Sequence, residues 1–387
     1  MSHAHTKMSV DSVQFLVQNL FDPWTVRLVD WLFYAGVAVG VTKIAQGLYS
    51  FIPGVYTYFY PKLRPLSLTD KYGRWAVITG ATSSLGTAFA KELAACGFDV
   101  VLISRSYDNL LDMASEIQSQ YSVQAYGIHA DFFLGQSVYN EIEKALLTDT
   151  LDIGVLVNVN PIKYDHPQYF SQVPNNRLWQ LVNVNIASTT MMTHMILPTM
   201  LERGRGAIIN VSSALGDAPP TPLLAAEAAS MSFVTMLGRT LHDEYHHKGI
   251  TVQTLTPLPL SKDNSFVSPS PEVYVRHALR TLDYRSNCCG YWIHAIINYV
   301  YQLVPARLWV WFMSQRNQKM RERQLTVGAR ERGGVTFSKN RSTVSFAITT
   351  TPDEVYTASE AGQRPELIRN YSRVAVMPSV AEQESNK

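Results

Sequence analysis

The 387-residue chain is poor in cysteine and has no marked excess of charge of either sign. Its three cysteines, Cys96, Cys288 and Cys289, are odd in number and irregularly spaced. This argues against a disulfide framework and a zinc knuckle, so we expect no metal and a reducing compartment. A formal net charge of +2 provides no field that would capture nucleic acid, so no nucleic-acid partner is expected.

Residues 1–25 carry scattered charges and no apolar core, so we expect no cleavable secretory signal. Residues 31–61 then carry a single charge, Lys43, and many aromatic side chains that suit a membrane interface. Gln46 and Pro53 dilute this stretch, which therefore does not cleanly supply the roughly 20 apolar residues of a bilayer crossing. We expect a membrane-associated helical segment; the alternative is a helical hairpin buried against the main domain.

Composition divides the chain into three zones. Residues 1–71 contain the apolar anchor and a linker, and residues 72–315 alternate between strand-like and helix-like patterns. Residues 316–387 are polar and poor in aromatic side chains, which predicts a disordered tail. The chain is thus expected to hold one folded domain with an N-terminal helical segment and a C-terminal tail.

Short apolar runs in the middle zone predict buried strands with helices between them. The predicted strands are 75–79, 99–104, 124–130, 153–158, 206–211 and 251–255. Helices are predicted over 87–96, ended by Gly97, and over 109–121. Because the strands are continuously apolar, they indicate a parallel sheet covered on both faces. The expected fold class is therefore α/β, a doubly wound parallel sheet of the Rossmann type, with its ligand at the carboxyl ends of the strands.

The turn after the first strand has features of a phosphate site. Gly80 permits a tight turn, Gly86 permits close packing of the next helix, and that helix's N-terminus supplies amide donors for a pyrophosphate. The second strand ends at Ser104-Arg105, where NAD-binding domains place Asp or Glu. A guanidinium at this point favours the 2′-phosphate of NADP; the alternative is that Arg105 is an ordinary solvated loop residue.

This turn, Thr79 to Gly86, resembles the TGxxxGxG motif of the short-chain dehydrogenase/reductase family. The segment Trp179–Asn185 is similar to the family helix that carries an active-site Asn, and Ile209–Ser213 to the strand that ends in the catalytic Ser. Further segments are similar to the branch with membrane-bound hydroxysteroid dehydrogenases and very-long-chain 3-oxoacyl-CoA reductases, and within it to inactive hydroxysteroid dehydrogenase-like proteins. These segments are 245–253, 268–274, 220–226, 290–292 and 308–311.

The resemblance implies an NADP(H) site. The residues that it assigns to the cofactor are Gly80, Ser84, Leu85, Gly86, Arg105, Asp131 and Asn158. Ser84 stands where the family has its middle glycine, and its Cβ would crowd the phosphates. Val159 and Pro161 depart from the family's turn after the fourth strand, on the nicotinamide side. Binding of NADP(H) is therefore expected to be weak or absent.

At the reaction end, the family uses Tyr as proton donor, Lys to lower the pKa of that Tyr, Ser to orient the carbonyl and Asn to hold a water. Ser213 and Asn185 match two of these groups, but the Tyr and Lys positions fall on Glu227 and Met231. A phenol with a pKa of about 10 needs an adjacent cation at neutral pH. Tyr245 with Lys248 lies too far along the helix to substitute. We therefore predict a catalytically inactive protein with a binding or regulatory role.

Two alternatives remain open. Glu227 could serve as the acid of a working NADPH-dependent reductase of steroid or long-chain 3-oxoacyl substrates, because burial can raise a carboxyl pKa. The chain could instead be a structural interaction module without a ligand. The resemblance implies an apolar small-molecule ligand, a steroid or fatty acyl group, and allows a homodimer. It also favours a mitochondrial location, with the endoplasmic reticulum membrane as the alternative.

Residues 291–313 form a last apolar and aromatic stretch, in which Arg307 is the single charge. Basic residues follow it, at Arg316, Lys319, Arg321, Arg323, Arg330 and Arg332. An aromatic helix beside cations suits a membrane surface. The alternative is a lid helix over a substrate cleft, and the two interpretations are compatible.

Overall fold

The computed structural model describes residues 23–59, 68–146, 151–159, 162–261, 263 and 265–331. A seven-stranded sheet lies at the centre of the larger unit. Its strands are β1 Trp75–Thr79, β2 Asp99–Ser104, β3 Ala125–His129, β4 Ile153–Asn158, β5 Gly206–Val211, β6 Ile250–Leu255 and β7 Asn287–Cys288. The order is β3-β2-β1-β4-β5-β6-β7 and all neighbours are parallel. The prediction of a doubly wound Rossmann-type sheet is thus confirmed.

Helices connect the strands and continue beyond the sheet. They are α1 Pro23–Phe59, α2 Leu68–Tyr72, α3 Ser84–Ala95, α4 Tyr107–Tyr121, α5 Ser137–Leu146, α6 Asn175–Leu181, α7 Ser188–Arg203, α8 Ala225–Tyr245, α9 Pro271–Arg280, α10 Trp292–Leu303 and α11 Ala306–Glu331. A π-helical segment, Val182–Ala187, joins α6 to α7.

Alternating side chains of each strand divide the core between the two faces of the sheet. On β1, Ala76 and Ile78 pack in a cluster with residues of α3, α4 and α9. Val77 packs on the opposite face with residues of α5 and α7. Because both faces are covered, each residue of β1 is buried.

The turn between β1 and α3 sets the position of the predicted phosphate site. The Ser83 hydroxyl accepts a hydrogen bond from the Gly86 amide at 3.0 Å and so caps α3. This cap starts the helix at Ser84, earlier than the predicted residue 87. Gly80 has a φ of 61°, in the left-handed region that favours glycine.

Some boundaries differ from the sequence-based ones. The predicted domain end at residue 315 falls inside α11, because Trp309, Met313 and Asn317 form a buried stripe that continues past that position. The rest of the predicted tail, residues 332–387, lies outside the described residues. Strand β7 was not predicted, because two residues are too few to show a periodic pattern.

Residues Met1–Tyr60 form a separate compact unit. Its described part is one continuous 37-residue helix, α1, so the alternative of a helical hairpin is wrong. Glycines such as Gly36 and Gly40 do not interrupt the helix, because isolated glycines are tolerated within one. Trp24 and Trp31 on α1 are each 75% exposed. No helix in the described residues combines the length and apolar content needed to cross a bilayer.

The packing of α3 on the turn gives a first testable prediction. A Cβ at Gly86 would lie 2.2 Å from the Gly80 carbonyl oxygen and 2.9 Å from the Ala81 Cα, both backbone atoms that cannot move aside. We expect Gly86→Ala to lower the free energy of unfolding by about 1–3 kcal/mol. Ser84→Ala, an exposed position two residues earlier, is the control and should change it by about 0.5 kcal/mol or less. Urea denaturation measures both; equal stabilities would contradict the prediction.

Candidate functional site

A cavity of about 630 Å³ lies at the carboxyl edge of the sheet. Its lining comes from the ends of six strands or the segments that follow them: Gly80, Ser104, Ala130, Val159, Val211 and Pro257. This is where a doubly wound sheet binds its ligand, and the volume lies within the range of about 300–1,000 Å³ typical of small-molecule sites. We refer to it as the first cavity.

Most of the predicted cofactor residues line the first cavity: Gly80, Ser84, Leu85, Arg105 and Asp131. Gly86 lies behind the turn and acts through helix packing. The Asp131 carboxylate accepts a hydrogen bond from the Phe133 amide at 3.0 Å, which fixes the lip of the cavity after β3. Val159 lines the cavity, whereas Pro161 lies outside the described residues.

Asn158 does not line the first cavity. Its side chain is buried, and its amide nitrogen donates to Asn210 Oδ1 at 2.9 Å and to Thr193 Oγ1 at 3.3 Å. Successive strand residues point to opposite faces, so Val159 faces the cavity while Asn158 faces the core. The structure therefore contradicts the cofactor role predicted for Asn158. Its side chain instead links the ends of β4 and β5.

The structure also adds residues that the sequence did not single out. Arg105 stacks on the Phe133 ring, with the guanidinium carbon 5.6 Å from the ring centroid. Thr82 and Asn109 line the same part of the first cavity, and the Thr82 hydroxyl hydrogen-bonds that of Ser104. The position of Thr82 in the glycine turn was a usable signal, whereas nothing in the local sequence distinguished Asn109.

A second cavity, of about 550 Å³, adjoins the first. The two share lining residues at Lys163, Ser213, Pro257, Leu258 and Pro259. The remaining wall is largely apolar and includes residues of α10 and α11, such as Ile297, Trp309 and Met313. The lid interpretation of the C-terminal stretch therefore matches the structure, with two helices in place of one because Pro305 separates them.

The four predicted reaction-end residues are placed unequally around these cavities. Ser213 lines both of them, and Glu227, in the first turn of α8, lines the second. Met231 is 2% exposed and lines neither cavity. Asn185, in the π-helical segment, is also buried and lines neither. The structure thus brings only Ser213 and Glu227 to the edge of an open space.

Both Glu227 and Asn185 are occupied in holding the loop that follows β4. The Tyr164 amide donates to Glu227 Oε2 at 2.9 Å, and the Ala226 amide donates to the Tyr164 hydroxyl at 3.3 Å. Asn185 accepts from the Ile162 amide at 2.7 Å and donates to the Ile162 carbonyl at 3.1 Å. We call this set of contacts the loop clamp. Sequence reasoning missed Tyr164, because it lies 63 positions from Glu227.

Two cations border the loop clamp. Arg177 donates to the Lys163 carbonyl oxygen and forms an ion pair with Asp165 at 3.0 Å. Burial raises the pKa of Glu227, against the lowering effects of the Tyr164 amide, Lys163 and Arg177. A buried carboxyl group with a raised pKa can donate a proton, but the helix offers no cation at Met231 to hold a ribose.

The sheet order, the glycine turn at a helix N-terminus and the first cavity define a Rossmann-type dinucleotide-binding domain. A family model described as short chain dehydrogenase matches residues 74–265. Inactive hydroxysteroid dehydrogenase-like protein 1 of Mus musculus is 42% identical over 287 residues, covering 71% of this chain and 86% of that protein. The chain belongs to the short-chain dehydrogenase/reductase family, as the resemblance of its motifs predicted.

Other relatives are enzymes by name. Very-long-chain 3-oxoacyl-CoA reductase of Anas platyrhynchos is 42% identical over 268 residues, covering 67% of this chain and 85% of that protein. Among solved structures, a bulky-bulky ketone specific alcohol dehydrogenase from Comamonas testosteroni matches with a TM-score of 0.50 and 27% identity, covering 54% of this chain and 84% of that one. A 7beta-hydroxysteroid dehydrogenase matches with a TM-score of 0.59 at 24% identity, covering 64% of this chain and all of that one, and shows the fold alone.

The burial of Glu227 gives a prediction for stability against pH. Its native pKa is raised, so the native state holds this proton more tightly than the unfolded state does. The contribution of Glu227 to stability is thus fully present below the ordinary value of 4.5 and is lost as the pH rises through the raised pKa. We expect Glu227→Gln to gain stability relative to the unmodified protein as the pH rises above 4.5.

The measurement is urea denaturation of both proteins at several pH values. Glu143→Gln, at an exposed position on α5, is the matched control and should track the unmodified protein throughout. If Glu227→Gln instead loses stability relative to the unmodified protein as the pH rises, the native state stabilises the ionised form of Glu227, and the prediction is wrong.

Proposed function

We propose that the protein is a catalytically inactive hydroxysteroid dehydrogenase-like protein that binds an apolar small molecule beside a weakened NADP-type site. The observation that carries this proposal is the loop clamp. The side chain at the proton-donor position, Glu227, accepts the Tyr164 amide, while the side chain at the cation position, Met231, is buried away from both cavities. The family's reduction of a carbonyl needs a proton donor at the substrate and a cation beside that donor to lower its pKa.

The comparisons support the absence of turnover. Mouse, rat and human relatives at 42%, 40% and 40% identity bear the name inactive hydroxysteroid dehydrogenase-like protein 1. The very-long-chain 3-oxoacyl-CoA reductases, at 42% and 37% identity in duck and human, support the rival interpretation of a working reductase. The loop clamp favours the first, because Glu227 and Asn185 are both engaged by backbone groups of the loop after β4.

The first cavity retains features that fit a dinucleotide phosphate. The α3 N-terminus opens on it, and a Cβ at Gly86 would displace the turn that shapes it. Arg105, held against Phe133, supplies a cation where a 2′-phosphate would be recognised. When bound, NADPH supplies hydride; in this chain Arg105 and the turn would hold its phosphates. The Ser84 Cβ would crowd the phosphates and Met231 supplies no cation, so we expect NADPH binding to be weak.

The second cavity fits an apolar ligand of the steroid or fatty acyl kind. Most of its wall area is apolar and includes aliphatic and aromatic side chains of α10 and α11, while polar side chains, among them Ser213 and Glu227, line the rest. A bulky-bulky ketone specific alcohol dehydrogenase of the same fold supports a bulky ligand. The role that follows is ligand binding or regulation without chemistry at the ligand.

The proposal predicts NADPH binding without turnover. We expect NADPH to bind more tightly than NADH, and Arg105→Ala to weaken NADPH binding about ten- to a hundredfold, the scale of a charged hydrogen bond, while NADH binding stays within about twofold. Lys144→Ala, which removes an exposed cation on α5, is the matched control and should bind both like the unmodified protein. Titration calorimetry measures the affinities, and NADPH oxidation with steroid and 3-oxoacyl substrates measures turnover.

The outcomes separate the three interpretations. Binding without turnover is the expected result. Turnover that Glu227→Gln abolishes would overturn the proposal in favour of the working reductase. Undetectable binding of NADPH and of steroid or fatty acyl ligands would leave a structural interaction module.

Membrane association of the N-terminal segment is part of the proposal and rests on the nearly uncharged residues 31–61. We predict that deletion of residues 1–61 releases part or all of the protein from membranes in a sedimentation assay. A matched deletion of the polar residues 340–387 should leave sedimentation unchanged. If the shortened protein still sediments fully, another surface is the anchor. The organelle, mitochondrion or endoplasmic reticulum, stays a prediction from the resemblance.

A further inference from the structure

Helix α10 presents an apolar face to solvent. Ile296, Tyr299, Val300 and Leu303 are between 38% and 55% exposed and follow the i, i+3, i+4, i+7 spacing of one helix face. Burial against the domain does not account for this face, since His294, which is fully buried, lies on the other side of α10. Exposed apolar side chains grouped in this way mark an interaction site.

Helix α11 continues the same kind of surface. Leu308, Trp311 and Phe312 are 58%, 64% and 57% exposed, and Lys319 lies on the same helix face two turns further on. The opposite side of α11 carries the buried Trp309. The first half of α11 is therefore apolar on two sides, of which one is buried and the other is exposed.

Charge distinguishes this surface from an ordinary protein contact. Residues 292–321 contain no Asp or Glu. Arg307, Arg316 and Lys319 are exposed, and none of them takes part in a salt bridge within the described residues. Aromatic and aliphatic side chains bordered by unpaired cations complement the headgroups and upper acyl region of an anionic lipid surface.

The same helices also wall the second cavity, through Ile297, Trp309 and Met313. Phe312 belongs to both surfaces, because it lines the cavity and is 57% exposed. We infer that the outer faces of α10 and α11 form a docking surface for an anionic lipid membrane, which places the rim of the second cavity at the lipid phase. This inference stands on α10 and α11 alone and does not depend on a dinucleotide or on the N-terminal segment.

The test uses the full chain with vesicles of phosphatidylcholine alone or mixed with phosphatidylserine. We expect tighter binding to the anionic vesicles, and hydrogen–deuterium exchange should show protection of residues 292–321 on binding. Leu308→Ser with Trp311→Ser should weaken binding about tenfold or more and remove this protection. Arg307→Gln with Lys319→Gln, both at exposed positions, should weaken binding to anionic vesicles roughly fivefold for each charge removed.

The matched control is Leu111→Ser with Met236→Ser, which removes two exposed apolar side chains from α4 and α8. It should bind vesicles like the unmodified protein. Binding without protection of residues 292–321 would assign the membrane contact to another part of the chain and overturn the inference. The inference would also be overturned if the charge variant bound anionic vesicles as tightly as the unmodified protein. The same holds if the control lost as much binding as Leu308→Ser with Trp311→Ser. Because exchange is read by segment, failure here is distinguishable from failure of the N-terminal prediction.

Discussion

The hydrogen bond from the Tyr164 amide to the Glu227 carboxylate joins the loop after β4 to the first turn of α8. With the paired bonds between Asn185 and Ile162, it fixes the loop that separates the two cavities. Lys163 lines both cavities, so the shape of each depends on this loop. A buried carboxyl group needs a hydrogen-bond partner, and here the Tyr164 backbone amide provides one. The residue at the family's proton-donor position, Glu227, therefore makes a structural contact in this chain.

The two ends of the ancestral site differ in how much substitution they tolerate. The phosphate end depends on backbone amides, a helix N-terminus and a glycine at 86, which survive changes in nearby side chains. The reaction end depends on two particular side chains, and the resemblance to the family places Glu227 and Met231 at their positions. A chain can therefore keep its sheet, its turn and its first cavity while it loses the means of proton transfer.

Helices α10 and α11 have two apolar sides, and each side has its own environment. The inner side closes the second cavity, and the outer side is exposed together with Arg307 and Lys319. The lid interpretation applies to the inner side, and the membrane docking that we propose would use the outer side of the same helices. An apolar ligand has low solubility in water, so a binding cavity whose rim lies at a lipid surface has a direct source of ligand.

The sequence by itself determined the fold class, because strand and helix periodicity and the glycine turn are local patterns. The bounds of β1, β2, β4 and β5 match those predicted from their apolar runs. The sequence also determined that the catalytic Tyr and Lys of the family are missing, since it has no Tyr between Tyr169 and Tyr245 and no Lys between Lys163 and Lys248. Only the tertiary structure decided that Asn158 faces the core, that Met231 is buried and that Tyr164 meets Glu227. Those outcomes depend on packing between segments far apart in the chain, and local periodicity carries no information about which distant backbone groups a side chain will meet.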